Sequence, residues 1–519
     1  MPVRSPASRR QFLQLSGFSA LAAAFGSAVA NPSPVWAAPR FSANPFTLGV
    51  ASGEPLPDGV VLWTRLAPDP LRLDGTGGMP EMQVPVSWQV SEDPSMRKVV
   101  RAGAAHAQPQ LGHSVHVEVG GLRPDRQYYY RFRAGETLSP IGRTRTAAAP
   151  GAALNSFSFA FASCQNYPAG FYTAHKHMSQ EDLDLVVFLG DYIYEGGGQG
   201  TIGRGWAPAK EATTLADYRV RHAQVKTDAD LQASHGAFPW LVTFDDHEVD
   251  NNWAGEDSDP NTPVDQFLVR RAEAFQAYYE NMPLRLAQRP EGSKLSLHRR
   301  RTFGDLVDFY MLDTRQYRDD QTGSESGRLD PARTILGNEQ EDWLRKSLAG
   351  PTARWNTLAQ QVVFSQRDFQ VGPEQGLNED SWDNYPVARD RMSAYFAELG
   401  AGKNPVIVTG DVHMNYVCDI RTDFNNPAAP VVGTELVGTS ITSGGDDTGN
   451  PAGDARQLEE NPHIRFINRE RGYVRNTITP SEWTADFRVV DYVTRPGAPV
   501  RTRASFVIEE GKPGAEPSL

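Results

Sequence analysis

The sequence predicts a large α/β domain preceded by a small β-sandwich, and two patterns carry this prediction. In residues 155–508, nearly continuous apolar strands such as 183–190 and 406–410 alternate with helical patterns, which is typical of strands covered on both faces. In residues 43–148, short apolar runs are bounded by Gly and Pro, which is typical of an all-β domain. We therefore expect two folded domains with these limits.

The N-terminal β domain is predicted from five short strands, and a Gly- and Pro-containing linker at 144–150 follows it. The predicted strands are 45–53, 59–66, 84–90, 114–119 and 128–133. The turn Leu122-Arg123-Pro124 before the tyrosine-rich fifth strand resembles a fibronectin type III domain. A small fibronectin-III-like β-sandwich is the resulting expectation.

Residues 1–30 predict an export signal. Arginines at positions 9 and 10 precede Gln-Phe-Leu and an apolar stretch that is too short to span a membrane comfortably. Small residues fit cleavage after Ala30, with Ala37 as the later candidate. The segment resembles a twin-arginine signal, which implies the twin-arginine export machinery as a partner and a periplasmic or extracellular location. The alternative is a chance arginine pair before an apolar helix.

Charge and cysteine content narrow the classes of function. The 519 residues carry a net charge of −12, which is a poor match for duplex DNA or an anionic bilayer. We expect no nucleic-acid binding beyond use as a substrate, no stable membrane anchor, and a monomer. Cys164 and Cys418 are the only cysteines. Two alternatives therefore stay open: the two residues form one disulfide, or a thiol is kept free to bind a metal.

Four apolar strands of the α/β domain end in side chains that commonly bind metals. The residues at these ends are Cys164, Asp191, Tyr194, Asp245, Asp246, His247, Asp411 and His413. Strand ends of an α/β sheet converge on one crevice, where such folds bind ligands. Three neighbouring buried aspartates would be very unfavourable without cations, so the sequence predicts a metal centre.

The order strand–Cys, Gly-Asp-x-x-Tyr, Asp-Asp-His-Glu and Gly-Asp-Val-His resembles the PhoD family of alkaline phosphatases. That family belongs to the calcineurin-like and purple-acid-phosphatase metallophosphoesterases. The resemblance covers nearly all of the chain after the signal. It implies a four-layer α/β sandwich, and it implies iron (Fe3+) together with one or two calcium ions (Ca2+). Zn and Mn are the alternative ions.

The expected ligands divide between two kinds of ion. Cys164 as thiolate and Tyr194 as phenolate suit a ferric ion, and the resemblance adds His413 to that site and Asp191 as a bridging carboxylate. Asp246 and Asp411 offer hard oxygens that favour calcium. The resemblance adds Asp383, in Ser381-Trp382-Asp383, as a further calcium ligand. Asp245 is expected either to bind a cation directly or to accept a hydrogen bond without contacting the cation.

These assignments predict an enzyme that hydrolyses phosphate monoesters and diesters by metal-assisted in-line attack. His247 resembles the family's catalytic histidine, which hydrogen-bonds the phosphoryl oxygen or protonates the leaving group. Two alternatives stay open. One is a phosphodiesterase of the phospholipase D type with the same metal site, and the other is a non-catalytic protein that binds carbohydrates or surfaces.

Overall fold

The computed structural model describes residues 41, 43–258, 262–447 and 449–518. The predicted signal at 1–30 and its alternative cleavage point at residue 37 lie outside the described residues. None of the helices in the described part of the chain is both long and apolar enough to cross a membrane.

Strands predominate in the described residues. The strands are β1 (Val50–Leu56), β2 (Gly59–Arg65), β3 (Val84–Ser91), β4 (Val99–Ala107), β5 (Ser114–Val119), β6 (Gln127–Ala134), β7 (Thr137–Leu138), β8 (Gly142–Arg145), β9 (Phe157–Ala162), β10 (Leu185–Phe188), β11 (Pro239–Val242), β12 (Arg299–Phe303), β13 (Val307–Met311), β14 (Trp355–Ala359), β15 (Pro405–Thr409), β16 (Asn415–Arg421), β17 (Val431–Val437), β18 (Ile464–Asn468), β19 (Gly472–Ile478), β20 (Glu482–Val490), β21 (Val500–Glu509) and β22 (Glu516–Pro517). The helices are α1 (Thr173–Met178), α2 (Leu215–Lys226), α3 (Ala229–Ala237), α4 (Val264–Asn281), α5 (Glu325–Arg328), α6 (Gly337–Ala349), α7 (Pro386–Leu399) and α8 (Pro451–Glu460).

Two large mixed sheets form the centre of the molecule. The ten-stranded sheet has the order β22-β21-β20-β19-β9-β10-β11-β1-β2-β5, and its central strands β9, β10, β11 and β1 run parallel. The seven-stranded sheet has the order β12-β13-β14-β15-β17-β16-β18, with β13, β14, β15 and β17 parallel. The carboxyl ends of parallel strands meet at one edge of a sheet, and that is where the predicted ligand loops lie.

Alternating side chains stack these sheets into four layers. Phe159 and Phe161 of β9 point toward the seven-stranded sheet and share a buried core with residues such as Phe309. Their neighbours Ala160 and Ala162 point the other way and share a core with helices α1 to α4. On the far side of the seven-stranded sheet, a third core joins its strands to α6 and α7. The predicted four-layer α/β sandwich is therefore confirmed.

The N-terminal strands form a β-sandwich, and one of its two sheets is the edge of the ten-stranded sheet. Strands β3, β4, β6, β7 and β8 make a separate antiparallel sheet, and its core also takes in residues of β1, β2 and β5. Those three strands are themselves the edge of the ten-stranded sheet, since Ser52 and Gly53 pair with Pro239 and Trp240 of β11. Hydrogen bonds between β1 and β11 therefore cross the predicted boundary, and the limits 43–148 and 155–508 stay predictions. The fibronectin-like character of the domain is not confirmed.

Candidate metal centre

The predicted ligand loops come together where the two large sheets end. Cys164 follows β9, Asp191 follows β10, and Asp246 follows β11 in the ten-stranded sheet. Asp411 and His413 follow β15 in the seven-stranded sheet. The four-layer stacking thus brings loops from both sheets to one place, although about 250 residues separate the first loop from the last.

The backbone of these loops is unusual. Cys164, Asp191, Asp411 and His413 have φ angles of 59°, 55°, 65° and 56°, and they are four of the ten non-glycine residues with positive φ in the described chain. A side chain in this left-handed region costs on the order of 1 kcal/mol. Strain of this kind is concentrated at functional sites, where the surrounding structure enforces it.

The first group of side chains offers sulfur, oxygen and nitrogen donors. One ligand atom from each of Cys164, Asp191 and His413 lies within 4.8 Å of the others. Tyr194 joins them, since its hydroxyl donates to Asp191 Oδ2 at 2.8 Å and lies 3.2 Å from His413 Nε2. The hydroxyl of Ser443 lies 2.6 Å from the Tyr194 hydroxyl and fixes it in place. The four donors predicted for iron are therefore side by side.

Burial dominates the electrostatics of this group. It raises the pKa of the Cys164 thiol and of the Tyr194 hydroxyl well above their ordinary values, and the charge of Asp191 adds to both effects. Burial also lowers the pKa of His413 to about 4, which leaves the imidazole neutral and able to act as a ligand. A bound cation would lower the pKa of the Cys164 thiol and of the Tyr194 hydroxyl, because it stabilises their anions.

A second group consists of carboxylates. Asp191, Asp246 and His247 form one set of ligand atoms within 4.8 Å, and Asp245, Asp246 and Asp411 form another. Asp191 belongs to the thiolate group as well, which is the arrangement expected of a bridging carboxylate. Asp191 Oδ1 and Asp245 Oδ2 are buried without a hydrogen-bond partner among the described residues. Unpaired carboxylate oxygens in a buried acidic cluster are the donors that a hard cation requires.

Arg315 is a feature of this cluster that the sequence reasoning missed. Its fully buried guanidinium donates from Nε to Asp245 Oδ1 at 2.5 Å and lies 3.4 Å from Asp411 and 3.7 Å from Asp246. Nη1 also donates to Asp380 at 2.8 Å. Arg315 follows β13, so the strand-end reasoning used for the other loops could have found it. One positive charge thus offsets part of the negative charge of four aspartates.

His247 lies at the edge of the cluster and is held on two sides. Its Nδ1 lies 2.7 Å from Glu195 Oε2, and its ring centroid lies 4.1 Å from that of Tyr194. Its side chain is 20% exposed, so the imidazole can be reached from the crevice. Burial alone would lower the pKa of His247, but the carboxylates of Asp246, Asp191 and Glu195 raise it well above its ordinary value. These carboxylates favour the protonated imidazole, and cations bound by Asp191 and Asp246 would oppose this effect.

The comparisons with known proteins agree with this geometry. Residues 159–487 match the family model described as PhoD-like phosphatase, and residues 30–148 match the model of that family's N-terminal domain. The chain belongs to the PhoD-like phosphatase family. The predicted resemblance is confirmed, and so is the predicted enzyme class, a phosphoric ester hydrolase.

Two similar proteins support the assignment to the PhoD-like phosphatases over most of the chain. A relative named alkaline phosphatase D, from Bacillus subtilis (strain 168), is 50% identical over 488 residues, which cover 92% of this chain and 83% of the relative. A solved structure described as the structure of PhoD has a TM-score of 0.89 and 50% identity, and the match covers 93% of this chain and 94% of that one.

Asp383, predicted as a calcium ligand, pairs with an arginine in this PhoD-like phosphatase. Its buried carboxylate accepts from Arg389 Nη1 at 2.5 Å and from the backbone N–H of Arg367 at 3.2 Å. It belongs to none of the groups of metal-binding side chains found among the described residues. Asp380, three residues earlier, reaches Arg315 instead. The calcium-ligand role of Asp383 stays a prediction, and the pairing with Arg389 already offsets the charge of this carboxylate.

Glu248 joins two of the ligand loops through hydrogen bonds, and its role was not predicted from the sequence. Its fully buried carboxylate accepts backbone N–H groups of Asp191 at 3.1 Å, Tyr192 at 2.5 Å and Asp245 at 2.7 Å. One side chain thereby holds the loop after β10 against the loop after β11. Glu195, another residue missed, follows Tyr194 directly and orients His247.

The two cysteines of this family member lie in different surroundings. Cys164 and Cys418 are both free and buried, so the alternative of a disulfide between them is excluded. Cys418 lies in a small apolar cluster with residues such as Val363 and Tyr416, where it contributes to packing.

Proposed function

We propose that this chain is an exported, metal-dependent phosphatase that hydrolyses phosphate monoesters and diesters. The observation that supports this most directly is the pair of ligand groups that share Asp191 beside the partly exposed His247. An arrangement of this kind binds an anionic ester and provides a proton donor at its edge.

The donor chemistry supports iron and calcium as the cations. Cys164, Tyr194, His413 and Asp191 would hold a ferric ion, because a thiol and a phenol beside one imidazole are unusual ligands for magnesium or calcium. Asp191, Asp246 and Asp411, with Asp245 behind them, would hold calcium through oxygen donors alone. The unpaired oxygens of Asp191 and Asp245 fit this assignment. When bound, these cations supply positive charge that neutralises the phosphate and lowers the barrier to attack at phosphorus.

The side chains of the protein perform the rest of the reaction. His247 is oriented through Nδ1 by Glu195, so its Nε2 is the atom that donates a proton to the leaving oxygen. Arg315 holds the carboxylates of Asp245 and Asp411 in place by direct contact. Glu248 keeps the two ligand loops at a fixed separation, which preorganises the site before substrate arrives.

Metal analysis combined with two assays tests this proposal. The purified protein is analysed for iron, calcium, zinc and manganese, and then assayed on an aryl phosphate monoester and a matched diester, before and after chelation. We expect iron and calcium to be present and both esters to be hydrolysed. Activity on the diester alone would favour the phospholipase D-type alternative, and metal-free protein with no activity would refute the proposal. Asp191→Ala serves as the inactive control, since it removes the shared ligand.

A further inference from the structure

The segment that follows β17 begins with a turn at residues 439–445, which contacts two of the ligand loops. Ser440 of this turn forms a parallel bridge with Ser163, the first residue of the loop after β9. The hydroxyl of Thr439 donates to the backbone carbonyl of His413, in the loop after β15, at 3.2 Å. The 439–445 turn therefore lies against loops that carry two of the four proposed iron ligands.

Arg471, which directly precedes β19, holds the 439–445 turn in position. Its guanidinium donates from Nε to the backbone carbonyl of Gly445 at 2.8 Å and from Nη1 to the backbone carbonyl of His413 at 2.5 Å. Nη1 also donates to Ser440 Oγ at 3.3 Å. One mostly buried guanidinium thus binds both ends of the turn to the loop of His413, which restricts the movement of the residues between them.

The hydroxyl of Ser443, in the middle of this turn, is in contact with atoms of two ligand loops. Its Oγ lies 2.6 Å from the Tyr194 hydroxyl and 2.8 Å from the backbone carbonyl of Cys164. It also accepts the backbone N–H of Asn166 at 3.2 Å. The residue is only 1% exposed, so these contacts are shielded from solvent. One hydroxyl therefore connects Tyr194 to the backbone of a second proposed ligand.

The number of protons available decides which oxygen donates between Ser443 and Tyr194. A protonated Tyr194 can direct its single proton to Asp191 Oδ2, which lies 2.8 Å away. A phenolate, the form proposed to bind iron, has no proton and can only accept. The 2.6 Å contact is then maintained only if Ser443 donates, and this distance is typical of a hydroxyl that donates to an anionic oxygen. The Cys164 carbonyl keeps the backbone N–H of Ser443 as a donor at 3.3 Å.

We propose that Ser443 is a positioning residue, whose hydroxyl donates a hydrogen bond to the ligand oxygen of Tyr194 when a cation is bound beside Cys164, Asp191 and His413. The inference rests on the proposed function and extends it to a residue outside the proposed ligand set. The hydrogen bond fixes the direction of the phenolate oxygen and reduces the electron density that this oxygen donates to the cation. The 439–445 turn, held by Arg471, supplies the rigid support that this contact needs.

Variants of two neighbouring residues separate this role from general packing of the turn. Ser443→Ala removes the hydroxyl, and Ser443→Thr keeps one. Thr442→Val is the matched control, because it removes a buried hydroxyl from the same turn with little change of shape. The hydroxyl of Thr442 donates to the backbone carbonyl of Asn166 at 2.8 Å rather than to a proposed ligand.

The first measurement is the affinity of each purified protein for its metal, determined by competition with a chelator. We expect Ser443→Ala to weaken this affinity roughly 10- to 100-fold, as is typical when a hydrogen-bond partner of a ligand is removed. Ser443→Thr should recover most of the affinity, and Thr442→Val should match the wild type. An unchanged affinity in Ser443→Ala overturns the inference, and so does an equal loss in Thr442→Val, since damage to the turn would then explain both.

The second measurement is spectroscopic and reports on the bond between the Tyr194 oxygen and a ferric ion. Loss of the hydrogen bond makes the phenolate a stronger electron donor, so Ser443→Ala should shift the phenolate-to-iron absorption band to longer wavelength, and Ser443→Thr should move it back. Wild type loaded with iron in D2O should show an isotope shift of the iron–phenolate vibration in its resonance Raman spectrum, because the serine proton is exchangeable. Absence of this isotope shift overturns the inference, even if Ser443→Ala does not fold.

Failure of the proposed function is recognised separately. Metal-loaded wild type that hydrolyses no phosphate ester refutes the proposed function, whereas the comparison of metal affinities still decides the role of Ser443. If the wild type holds a cation other than iron, the iron assignment is wrong and the affinity comparison alone decides. Wild type that binds no metal overturns both.

Discussion

At the scale of single residues, the neighbours Asp246 and His247 have different contacts and different proposed roles. Asp246 points its carboxylate into the cation cluster, where Arg315 and His247 lower its pKa against the effect of burial. A ring nitrogen of His247 also lies within this cluster, and its Nδ1 lies 2.7 Å from Glu195 Oε2. In the proposed mechanism Asp246 is a ligand and His247 is a proton donor, and the contact with Glu195 distinguishes the two side chains.

Replacement of His247 by alanine should remove proton donation and leave the metals bound. We expect kcat to fall about 10²- to 10⁴-fold for alkyl phosphates, whose leaving groups need a proton. The loss should be smaller for a nitrophenyl phosphate, whose leaving group needs none. Steady-state kinetics on both esters, with metal analysis, measure this. Release of iron or calcium from the variant would make His247 a ligand, and equal losses on both esters would remove the proton-donor role.

Residue types at strand ends were predictable from the sequence, but their partners were not. Cys164, Asp191 and Asp411 follow apolar strands directly, so their convergence follows from the fold class. Asp383 carried no such positional signal, and its pairing with Arg389, six residues later, depends on how a short loop turns. Sequence patterns specify which face of an element is buried, whereas contacts between loops depend on tertiary packing.

At the scale of elements, Glu248 links the loops that follow β10 and β11. We expect Glu248→Gln to lower the free energy of unfolding by about 2–4 kcal/mol, because an amide has one acceptor oxygen for three backbone donors. The variant should also bind less metal, since the loops carry Asp191 and Asp245. Glu280→Gln is the control, a buried glutamate of α4 that pairs with Arg219 away from these loops. Full metal content in Glu248→Gln would contradict the proposal that Glu248 positions the two ligand loops.

Glu54 joins the two large sheets, because this residue of β1 pairs with Arg299 and Arg301 of β12. Burial would raise its pKa, but the two arginines lower it to about 2 from an ordinary value of 4.5. The depressed pKa means that this stabilisation is complete above about pH 4.5 and is lost as the pH falls toward 2.

Thermal unfolding of Glu54→Gln tests this link. The variant should be less stable than the wild type by about 3 kcal/mol at pH 7, and the difference should shrink as the pH falls from about 4.5 toward 2. Glu118→Gln, which removes an exposed partner of Arg285, should change stability by less than about 1 kcal/mol. A wild-type–variant difference that stays constant with pH would contradict the assignment.

The pairing of β1 with β11, across the predicted domain boundary, is the element-level feature that the sequence did not predict. Its strand pattern was recognisable, and the predicted run at 45–53 overlaps the observed Val50–Leu56. The strand with which β1 pairs, however, depends on which other strand has an unpaired edge in the folded chain. That strand is β11, about 190 residues later in the sequence. No local pattern specifies that choice.

For the whole molecule, we expect calcium to contribute to stability as well as to turnover. Cations that bind only the folded chain stabilise it by about 2.7 kcal/mol at 100 times their dissociation constant. A calcium-selective chelator should therefore lower both activity and the melting temperature, and calcium should restore both better than zinc. Calorimetry with and without chelator measures this, and recovery with zinc alone would favour a dinuclear zinc site.

Export is tested by changing Arg9 and Arg10 to lysine, which keeps their charge. We expect active protein to accumulate in the cytoplasm, because the twin-arginine route requires both guanidinium groups whereas a general secretion signal needs only positive charge. Cell fractionation with a phosphatase assay measures the distribution. Normal export of the variant would remove the twin-arginine assignment and leave a general signal.

The pairing of β9 has a consequence for synthesis of the chain. The strand that leads to Cys164 lies between β10 and β19, and β19 begins only at Gly472. While a ribosome is still making the chain, β9 therefore keeps one edge unpaired for about 300 residues, and the loops of Asp411 and His413 are missing for most of that time. The candidate metal centre therefore folds only after β19 has been synthesised. Pairing of β9 with β19, which is slow because the strands are far apart in sequence, thus comes before metal binding. A chaperone that shields the free edge of β9 during this interval would raise the yield of folded enzyme.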